Sequence, residues 1–496
     1  MGENVDVGSI YDSVVDGWVS NCKSSKYPPL IMIENRVELT PKQISDLGLI
    51  VNGRISTSQS VLDQHGHDES AFPSSPPSAV VMVSSTEEVS KILQYCNSEA
   101  IPVVAFGAGT SLEGHVVPLF GGISLDLSSM NRVLEVRPDD LLVRVQAGVH
   151  RIALNEKLAN DGLFFTVDPG ADATLGGMAA TGAAGTTTVR YGSMRENVLA
   201  LTAVMANGEI IHTGRNTRKL SAGYDLTRLL VGSEGTLAVI TELSLRVFGI
   251  PEKMAAAIVR FSSLSEGVQA ATEIVKAGIS IARCEFLDAK CIRNLNAYDS
   301  MSLTELPTLF FEFHGTPRSV EEDALAVQEI VADFGGTEFE WTSDEGERRK
   351  LWKARHNAHW AAVAAHPGKK SVSTDMAVPL SKLAKAVALA DEMLASHEFT
   401  HSILGHVADG NFHCQIITDP NNPDELVKVR RLVHEMTLEI IAMGGTCTGE
   451  HGIGAGKIDA LEVEAADSLK IMRSVKDALD PNGILNPGKI FSANSP

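Results

Sequence analysis

Two hydrophobic periodicities alternate along this chain. From residue 79 an apolar run (Ala79-Val80-Val81-Met82-Val83) predicts a strand, the amphipathic stretch 87–98 a helix, and 101–106 a second strand ending in a glycine-rich turn. Further strands are predicted at 123–127, 133–136 and 142–145, a helix at 150–160, a hairpin-like region at 198–213 and a strand at 236–247. Between them lies a long Gly/Ala/Thr stretch, 168–188. From residue 255 the order is strand 255–261, helix 263–276, strands 281–287 and 308–314, helix 320–334 and strand 337–341. That β-α-β-β-α-β order is the ferredoxin-like arrangement. A helix over 343–364 follows, then a strand at 371–378, a helix at 381–396, a hairpin, and a long helix at 424–442. The regular βα alternation of a doubly wound sheet is missing, so the expectation is an α+β protein whose second half is an antiparallel sheet carrying helices.

Length sets the division. At 496 residues the chain exceeds the roughly 250–300 at which single cores stop growing. Phe72-Pro73-Ser74-Ser75-Pro76-Pro77 reads as a linker, giving an N-terminal segment 1–73 with one helix near 8–19, a domain 74–250 and a domain 251–496. A net charge of −20 without any basic run disfavours nucleic acid and anionic membranes as partners. An anionic substrate would then need local positive charge, from a metal or one or two arginines. Six scattered cysteines without a C-x-x-C pair read as buried or free thiols of a reducing compartment. No apolar run approaches a membrane span. The acidic N-terminus shows neither a signal-peptide core nor an Arg-rich transit helix, and Ser495-Pro496 is no retention tag.

Candidate chemistry concentrates at Gly405-His406-Val407-Ala408-Asp409-Gly410-Asn411-Phe412-His413. Asp-Gly between apolar runs is a strong hairpin signal. A two-residue turn at 409–410 would pair His406 with His413, at the roughly 4.5–5.5 Å Cβ separation of directly opposed residues. Gly449-Glu450-His451-Gly452 adds a carboxylate and a third imidazole on a glycine-flanked turn. Two His and one Glu form a common ligand set for a catalytic metal with an open position, so His406, His413 and Glu450 are the candidate ligands. Zn or Mn, or else Fe or Co, suits that set. His451 is left for proton transfer. Asn411, on the same hairpin, is either a substrate contact or a turn-stabilising side chain.

Gly107-Ala108-Gly109-Thr110-Ser111 follows the apolar strand and can cradle an anion with its free N–H groups. Gly-x-Gly-x-x-Gly is not completed and no helix follows, so a Rossmann NAD site is disfavoured. The stretch 168–185 carries almost no bulky side chain; it cannot fill a core but can lie against a large ligand. Alone, each stretch reads as tight turns; together in one domain they favour a ligand.

These stretches, with Gly232-Ser233-Glu234-Gly235-Thr236-Leu237, resemble the FAD-binding (PCMH-type) domain of the vanillyl-alcohol oxidase/PCMH flavoprotein superfamily. Adding His406-x6-His413, Gly449-Glu450-His451-Gly452, Ser221-Ala222-Gly223-Tyr224-Asp225-Leu226-Thr227 and the closing Asp480-Pro481-Asn482-Gly483-Ile484-Leu485-Asn486-Pro487-Gly488-Lys489, the chain from about residue 50 is similar to the D-lactate dehydrogenase (cytochrome)/glycolate oxidase group. The resemblance implies that Gly107, Ala108, Gly109, Thr110, Ser111 and Leu112 hold the FAD pyrophosphate. It implies that Pro169, Gly170, Thr174, Gly177, Thr181 and Gly182 line the isoalloxazine and ribityl chain. Tyr191, Gly192, Glu234, Gly235, Ile240 and Asn486 would complete a non-covalent site, His115 being structural. Arg355 would clamp the substrate carboxylate through its planar fork. The expected activity is oxidation of D-lactate or a related small D-2-hydroxy monocarboxylate, with hydride passing to flavin N5, His451 as general base and electrons leaving to a cytochrome or quinone. Related D-2-hydroxyglutarate enzymes place a lysine where this chain has Ser373, which argues for a monocarboxylate; Lys369 and Lys370 lie close by. Alternatives are D-2-hydroxyglutarate or glycolate dehydrogenase, a flavin-free metallohydrolase, and a non-catalytic flavin-binding partner in a larger complex. Resemblance further implies a mitochondrial location, with the cytoplasm as the alternative, and a homodimer is possible.

Overall fold

A computed structural model of the chain describes residues 36–70 and 72–492. The helix expected near 8–19, and Cys22, lie outside the described residues. Four strands form the first sheet: β1 (Ile55–Ser56), β2 (Ala79–Met82), β3 (Val103–Phe106) and β4 (Ile123–Asp126), in the order β1-β2-β4-β3. β4 runs parallel to both β2 and β3, with Ile123 opposite Ala79 on one side and Val103 on the other. The crossover from β2 is the helix Thr86–Ser98, whose start is fixed by Ser85 accepting from the Glu88 N–H, with Glu87 and Glu88 in its first turn. It buries Val89, Ile92, Leu93 and Cys96.

A second, antiparallel sheet combines β5 (Val133–Arg137), β6 (Leu142–Gln146), β8 (Val198–Val204), β9 (Ile210–Gly214) and β10 (Val239–Arg246) in the order β5-β6-β10-β8-β9; β7 (Leu163–Phe164) pairs separately with β11 (Phe248–Gly249). The two sheets share one core, in which Val81, Val103 and Leu125 join Val143, Leu201 and Leu243. Segments outside these strands join it too. Leu47 and Val51, at the helix Pro41–Ile50, are fully buried there, and Ile484 and Leu485 return from the far end of the sequence, with Asn486 N–H donating to the Val103 carbonyl at 2.9 Å. The helices Pro41–Ile50 and Gln59–Gln64 fall in a stretch where the hydrophobic pattern predicts no element.

The second half builds one eight-stranded sheet from β12 (Lys253–Arg260), β13 (Ile281–Leu287), β14 (Thr308–Gly315), β15 (Thr337–Thr342), β16 (Lys370–Ser373), β17 (Met376–Ala377), β18 (His401–Gly405) and β19 (Asn411–Thr418). Its order is β15-β12-β14-β13-β18-β19-β16, with β17 on β19. The first four strands follow the ferredoxin-like 4-1-3-2 order that the periodicity predicts. Both faces are covered. Leu309 and Phe311 of β14 pack under the helices Leu264–Lys276 and Pro317–Asp333, whereas Phe310 packs with Leu287, Trp352 and Leu404 on the opposite face. Coverage on two sides explains why this strand reads as a continuous apolar run.

Four expectations need correction here. The region 343–364 is two helices, Glu345–His356 and Ala358–Ala364, broken at Asn357, whose amide donates to both Asp299 oxygens. A helix, Ala289–Tyr298, intervenes between β13 and β14. The strand expected at 371–378 breaks at Thr374-Asp375, turning Asp375 into the interior. The hairpin is wider than a two-residue turn: a 3₁₀ turn spans Val407–Asp409, Gly410 adopts φ +77°, and His413 stands opposite Leu404, not His406.

Candidate active site

β3 delivers the first glycine stretch. Gly107, Ala108, Gly109, Thr110, Ser111 and Leu112 line a cavity of about 1730 Å³, as do Pro169, Gly170, Thr174, Gly177 and Thr181 from the second stretch. Glu234, Gly235, Ile240 and Asn486 complete this wall. The volume exceeds the roughly 300–1,000 Å³ of ordinary small-ligand pockets, leaving room for a large cofactor beside a substrate. Close packing shapes the wall: a Cβ on Gly107 would lie 2.3 Å from Thr174 Oγ1. Half of the small-residue stretch nevertheless serves the core, against expectation. Leu175–Thr181 is a helix with Thr174 as N-cap and Gly182 as left-handed C-cap, and it buries Leu175, Gly176, Met178 and Ala179. Three expected cofactor contacts stand off the wall. Tyr191 donates or accepts with His314 Nδ1 at 2.8 Å and packs edge-on to Phe164 and Phe248; the Gly192 carbonyl accepts from Asn197; Gly182 ends its helix. The half-buried backbone of the cradle, together with the Asn486 Oδ1 buried on its wall without a hydrogen-bond partner among the described residues, fits a flavin nucleotide.

The same cavity is lined by Arg355, His406, His413, Glu450 and His451. Although the hairpin register offsets the two histidines, the 3₁₀ turn swings His406 back, so the rings stand edge to face with centroids 5.5 Å apart. Glu450 Oε1 lies 3.2 Å from His406 Nε2 and 3.3 Å from His413 Nε2. Ligand atoms about 2.1 Å from a common ion stand about 3.0–3.4 Å apart, and both Glu450–imidazole separations have that spacing. Each imidazole is oriented from behind. His406 Nδ1 contacts Glu285 Oε1 at 2.7 Å and His413 Nδ1 the Thr374 carbonyl at 2.9 Å, so that both Nε2 atoms face Glu450. Asp375, His413, Glu450 and His451 also present ligand atoms within 4.8 Å of one another. Asp375 is already committed, however: Oδ2 accepts from Thr448 Oγ1 and the Glu450 and His451 N–H groups, and Oδ1 from Asn411.

The remaining predicted residues have definite neighbours. Arg355 is buried with Nε and Nη2 on Glu285 Oε2 at 2.9 and 2.6 Å, so most of its fork is already engaged. Asn411 is off the cavity wall and donates to Asp375 and to the Met376 carbonyl; the turn-stabilising alternative describes it better than a substrate contact. His451 stacks on His413 at 5.2 Å, its Nε2 4.0 Å from Glu450 Oε1, and its buried Nδ1 has no hydrogen-bond partner among the described residues. The Glu234 oxygens on the cavity wall accept the Ile453 and Gly454 N–H groups at 2.7 Å each, and His115 Nε2 lies 3.2 Å away.

Electrostatics follow from burial and neighbours. Burial pushes His451 down to about 4, so this imidazole is neutral and able to accept a proton. Burial alone would raise Glu450, but His406 and His413 outweigh it and hold the carboxyl well below its usual range. Burial likewise opposes the charge of Lys457, yet Glu113 and Asp375 raise it, keeping a buried ammonium. Sequence reasoning missed Glu285, Asp375 and Lys457. Glu285 carried a signal: a carboxylate between Cys284 and Phe286 in an otherwise apolar strand. The described cysteines 96, 284, 291, 414 and 447 are buried free thiols, and no helix among the described residues is long and apolar enough to cross a membrane.

Comparison with known proteins bears on both walls. Residues 77–214 match the FAD binding domain family, and residues 250–490 match the family of FAD linked oxidases, C-terminal domain. A probable D-lactate dehydrogenase, mitochondrial, of Danio rerio is 47% identical over 441 residues, covering 88% of this chain and 89% of that protein. The D-lactate dehydrogenase [cytochrome], mitochondrial, of Arabidopsis thaliana is 40% identical over 464 residues, covering 93% and 82%. Among solved structures, the 4-ethylphenol oxidase from Gulosibacter chungangensis superposes with a TM-score of 0.77 over 92% of this chain and 99% of its own. At 17% identity that likeness is one of fold.

Proposed function

Since the chain belongs to the D-lactate dehydrogenase (cytochrome)/glycolate oxidase group of the vanillyl-alcohol oxidase/PCMH flavoproteins, we propose that it is an FAD- and divalent-metal-dependent dehydrogenase converting D-lactate, or a related small D-2-hydroxy monocarboxylate, to the 2-keto acid. One observation carries the reading: two imidazole Nε2 atoms converge within 3.3 Å of one carboxylate oxygen on the wall of the cavity that the glycine cradle lines.

Gly107–Leu112, Pro169, Gly170, Thr174 and Asn486 would hold FAD without a covalent link, and His406, His413 and Glu450 would hold Zn or Mn, or else Fe or Co. When bound, the flavin supplies a hydride acceptor at N5 and the metal a Lewis acid that acidifies the substrate hydroxyl. His451, neutral and with no hydrogen-bond partner at Nδ1 among the described residues, takes the hydroxyl proton as the C2–H bond breaks. Arg355 adds positive charge to the wall that receives the substrate carboxylate, even with two donors on Glu285. Ser373 lines the cavity where related 2-hydroxyglutarate enzymes place a lysine, which favours a monocarboxylate, with Lys370 of the same strand also on the lining. The relatives' names support a mitochondrial location and a cytochrome as electron acceptor, with a quinone as the alternative.

Anaerobic titration of the purified protein with D- and L-lactate tests this. D-lactate is expected to bleach the visible flavin absorption and L-lactate to leave it unchanged. His451→Ala is expected to retain FAD and metal but lose reduction by substrate. A colourless purified protein that binds metal, or undiminished reduction of His451→Ala, sinks the reading.

A further inference from the structure

The loop that carries Glu450 and His451 depends on groups distant in sequence. Residues 448–452 wind around a single oxygen, Asp375 Oδ2, which accepts from Thr448 Oγ1 at 2.7 Å, the Glu450 N–H at 2.9 Å and the His451 N–H at 2.7 Å. Gly452 N–H closes the loop on Thr448 Oγ1 at 2.9 Å. Asp375 is only 1% exposed, and a buried carboxylate needs a counter-charge as well as donors. Lys457 supplies it, with Nζ 3.7 Å from Asp375 Oδ2 and 3.0 Å from Glu113 Oε1. Glu113 directly follows the glycine cradle, so the ammonium joins the flavin side of the cavity to the metal side.

Backbone contacts fix that junction. The Glu113 carbonyl accepts the Ala455 and Gly456 N–H groups at 2.8 and 3.2 Å. The approach is too close for side chains: a Cβ on Gly454 would lie 2.2 Å from the Glu113 carbonyl oxygen, and one on Gly456 2.3 Å from Glu113 Oε2. Among the described residues no hydrogen bond or ion pair joins Lys457 or Glu113 to His406, His413 or Glu450, and Asp375 is the charged group that lies between them.

We propose that Lys457 and Glu113 are positioning residues for the metal-ligand loop: Lys457, anchored by Glu113 beside the flavin cradle, balances the charge of Asp375 and thereby fixes the backbone that aims Glu450 and His451 into the cavity. The proposal rests on the assignment of His406, His413 and Glu450 as metal ligands. Its consequence is that the metal site is complete only when the flavin-side loop is docked against it.

The test is calorimetric titration of Mn²⁺ into the FAD-loaded full chain, comparing wild type with Lys457→Met, Lys457→Arg, Glu113→Gln and His406→Ala. Loss of a group that orients metal ligands from behind typically weakens metal binding about 10–100-fold, the effect expected for Lys457→Met and Glu113→Gln. Their flavin absorption is expected to remain, Lys457→Arg to bind close to wild type, and His406→Ala to lose Mn²⁺ altogether. Wild-type Mn²⁺ affinity in Lys457→Met, with His406→Ala inactive in binding, overturns the positioning role. Unchanged binding by His406→Ala overturns the metal assignment instead. If Lys457→Met does not fold, Glu113→Gln, which removes charge without changing volume, decides the matter by the same readout.

Discussion

Glu285→Gln probes the hidden support of the site. Glu285 has no exposed surface; Oε2 accepts from Arg355 at 2.9 and 2.6 Å, and Oε1 meets His406 Nδ1 at 2.7 Å. The amide keeps the volume but only one acceptor. With its oxygen toward His406, the NH₂ group confronts the Arg355 donors. Turned around, it forces the proton of His406 onto Nε2, the atom needed by a metal. Either way a buried guanidinium loses its counter-ion, a change that costs about 3–5 kcal/mol. At roughly 2–4 °C per kcal/mol for domains of this size, Tm should fall on the order of 10 °C. Metal affinity should fall about 10–100-fold, because His406 loses its orienting carboxylate. Thermal unfolding and Mn²⁺ calorimetry of the FAD-loaded protein measure the two effects. The double variant Glu285→Gln/Arg355→Met neutralises both partners and should recover much of the stability without restoring metal affinity. A single variant with wild-type Tm and wild-type Mn²⁺ affinity would refute the idea that this buried pair orients the ligand.

Gly176→Ala should destabilise the flavin domain by about 1–3 kcal/mol and lower the flavin-to-protein absorbance ratio, since overpacking forces backbone shifts. The added Cβ would lie 2.5 Å from Ala147 Cβ and 3.0 Å from its backbone, pushing the helix Leu175–Thr181 off its seat. Burial alone would raise Glu312, but Arg283, His314 and Arg348 outweigh it and hold the carboxyl down to about 2. A depressed carboxylate contributes stability above its unfolded pKa of about 4.3 and loses it as pH falls through the folded value, here a window down to about 2 worth about 3 kcal/mol. Denaturant unfolding across that window should therefore show a steeper acid loss in wild type than in Glu312→Gln; equal slopes would count against the Arg283–Glu312–Arg348 network.

Local chemistry made much of this protein legible. The alternation of strand and helix periods located the ferredoxin-like unit because each of its elements buries a stripe or a face, and the glycine stretches stood out because such sequences avoid filling cores. Even so, 168–185 shows the limit of composition: the same small residues that leave a wall bare also let Gly176 seat against Ala147, so half the stretch is packed helix. The His406/His413 pairing was expected for an inexact reason. Register opposes His413 to Leu404, and the 3₁₀ turn, invisible in the Asp-Gly signal, returns His406 to its partner.

The sequence alone therefore determined most of the strands and long helices, the glycine-rich stretches and the two imidazoles and carboxylate proposed as ligands, because period, glycine content and residue chemistry act over a few neighbouring positions. Only the tertiary structure decided which charges support them. Glu285 reaches Arg355 across 70 positions, and Lys457 lies between Glu113 and Asp375. Buried charges must find partners wherever packing brings them, and no spacing along the chain records where that is.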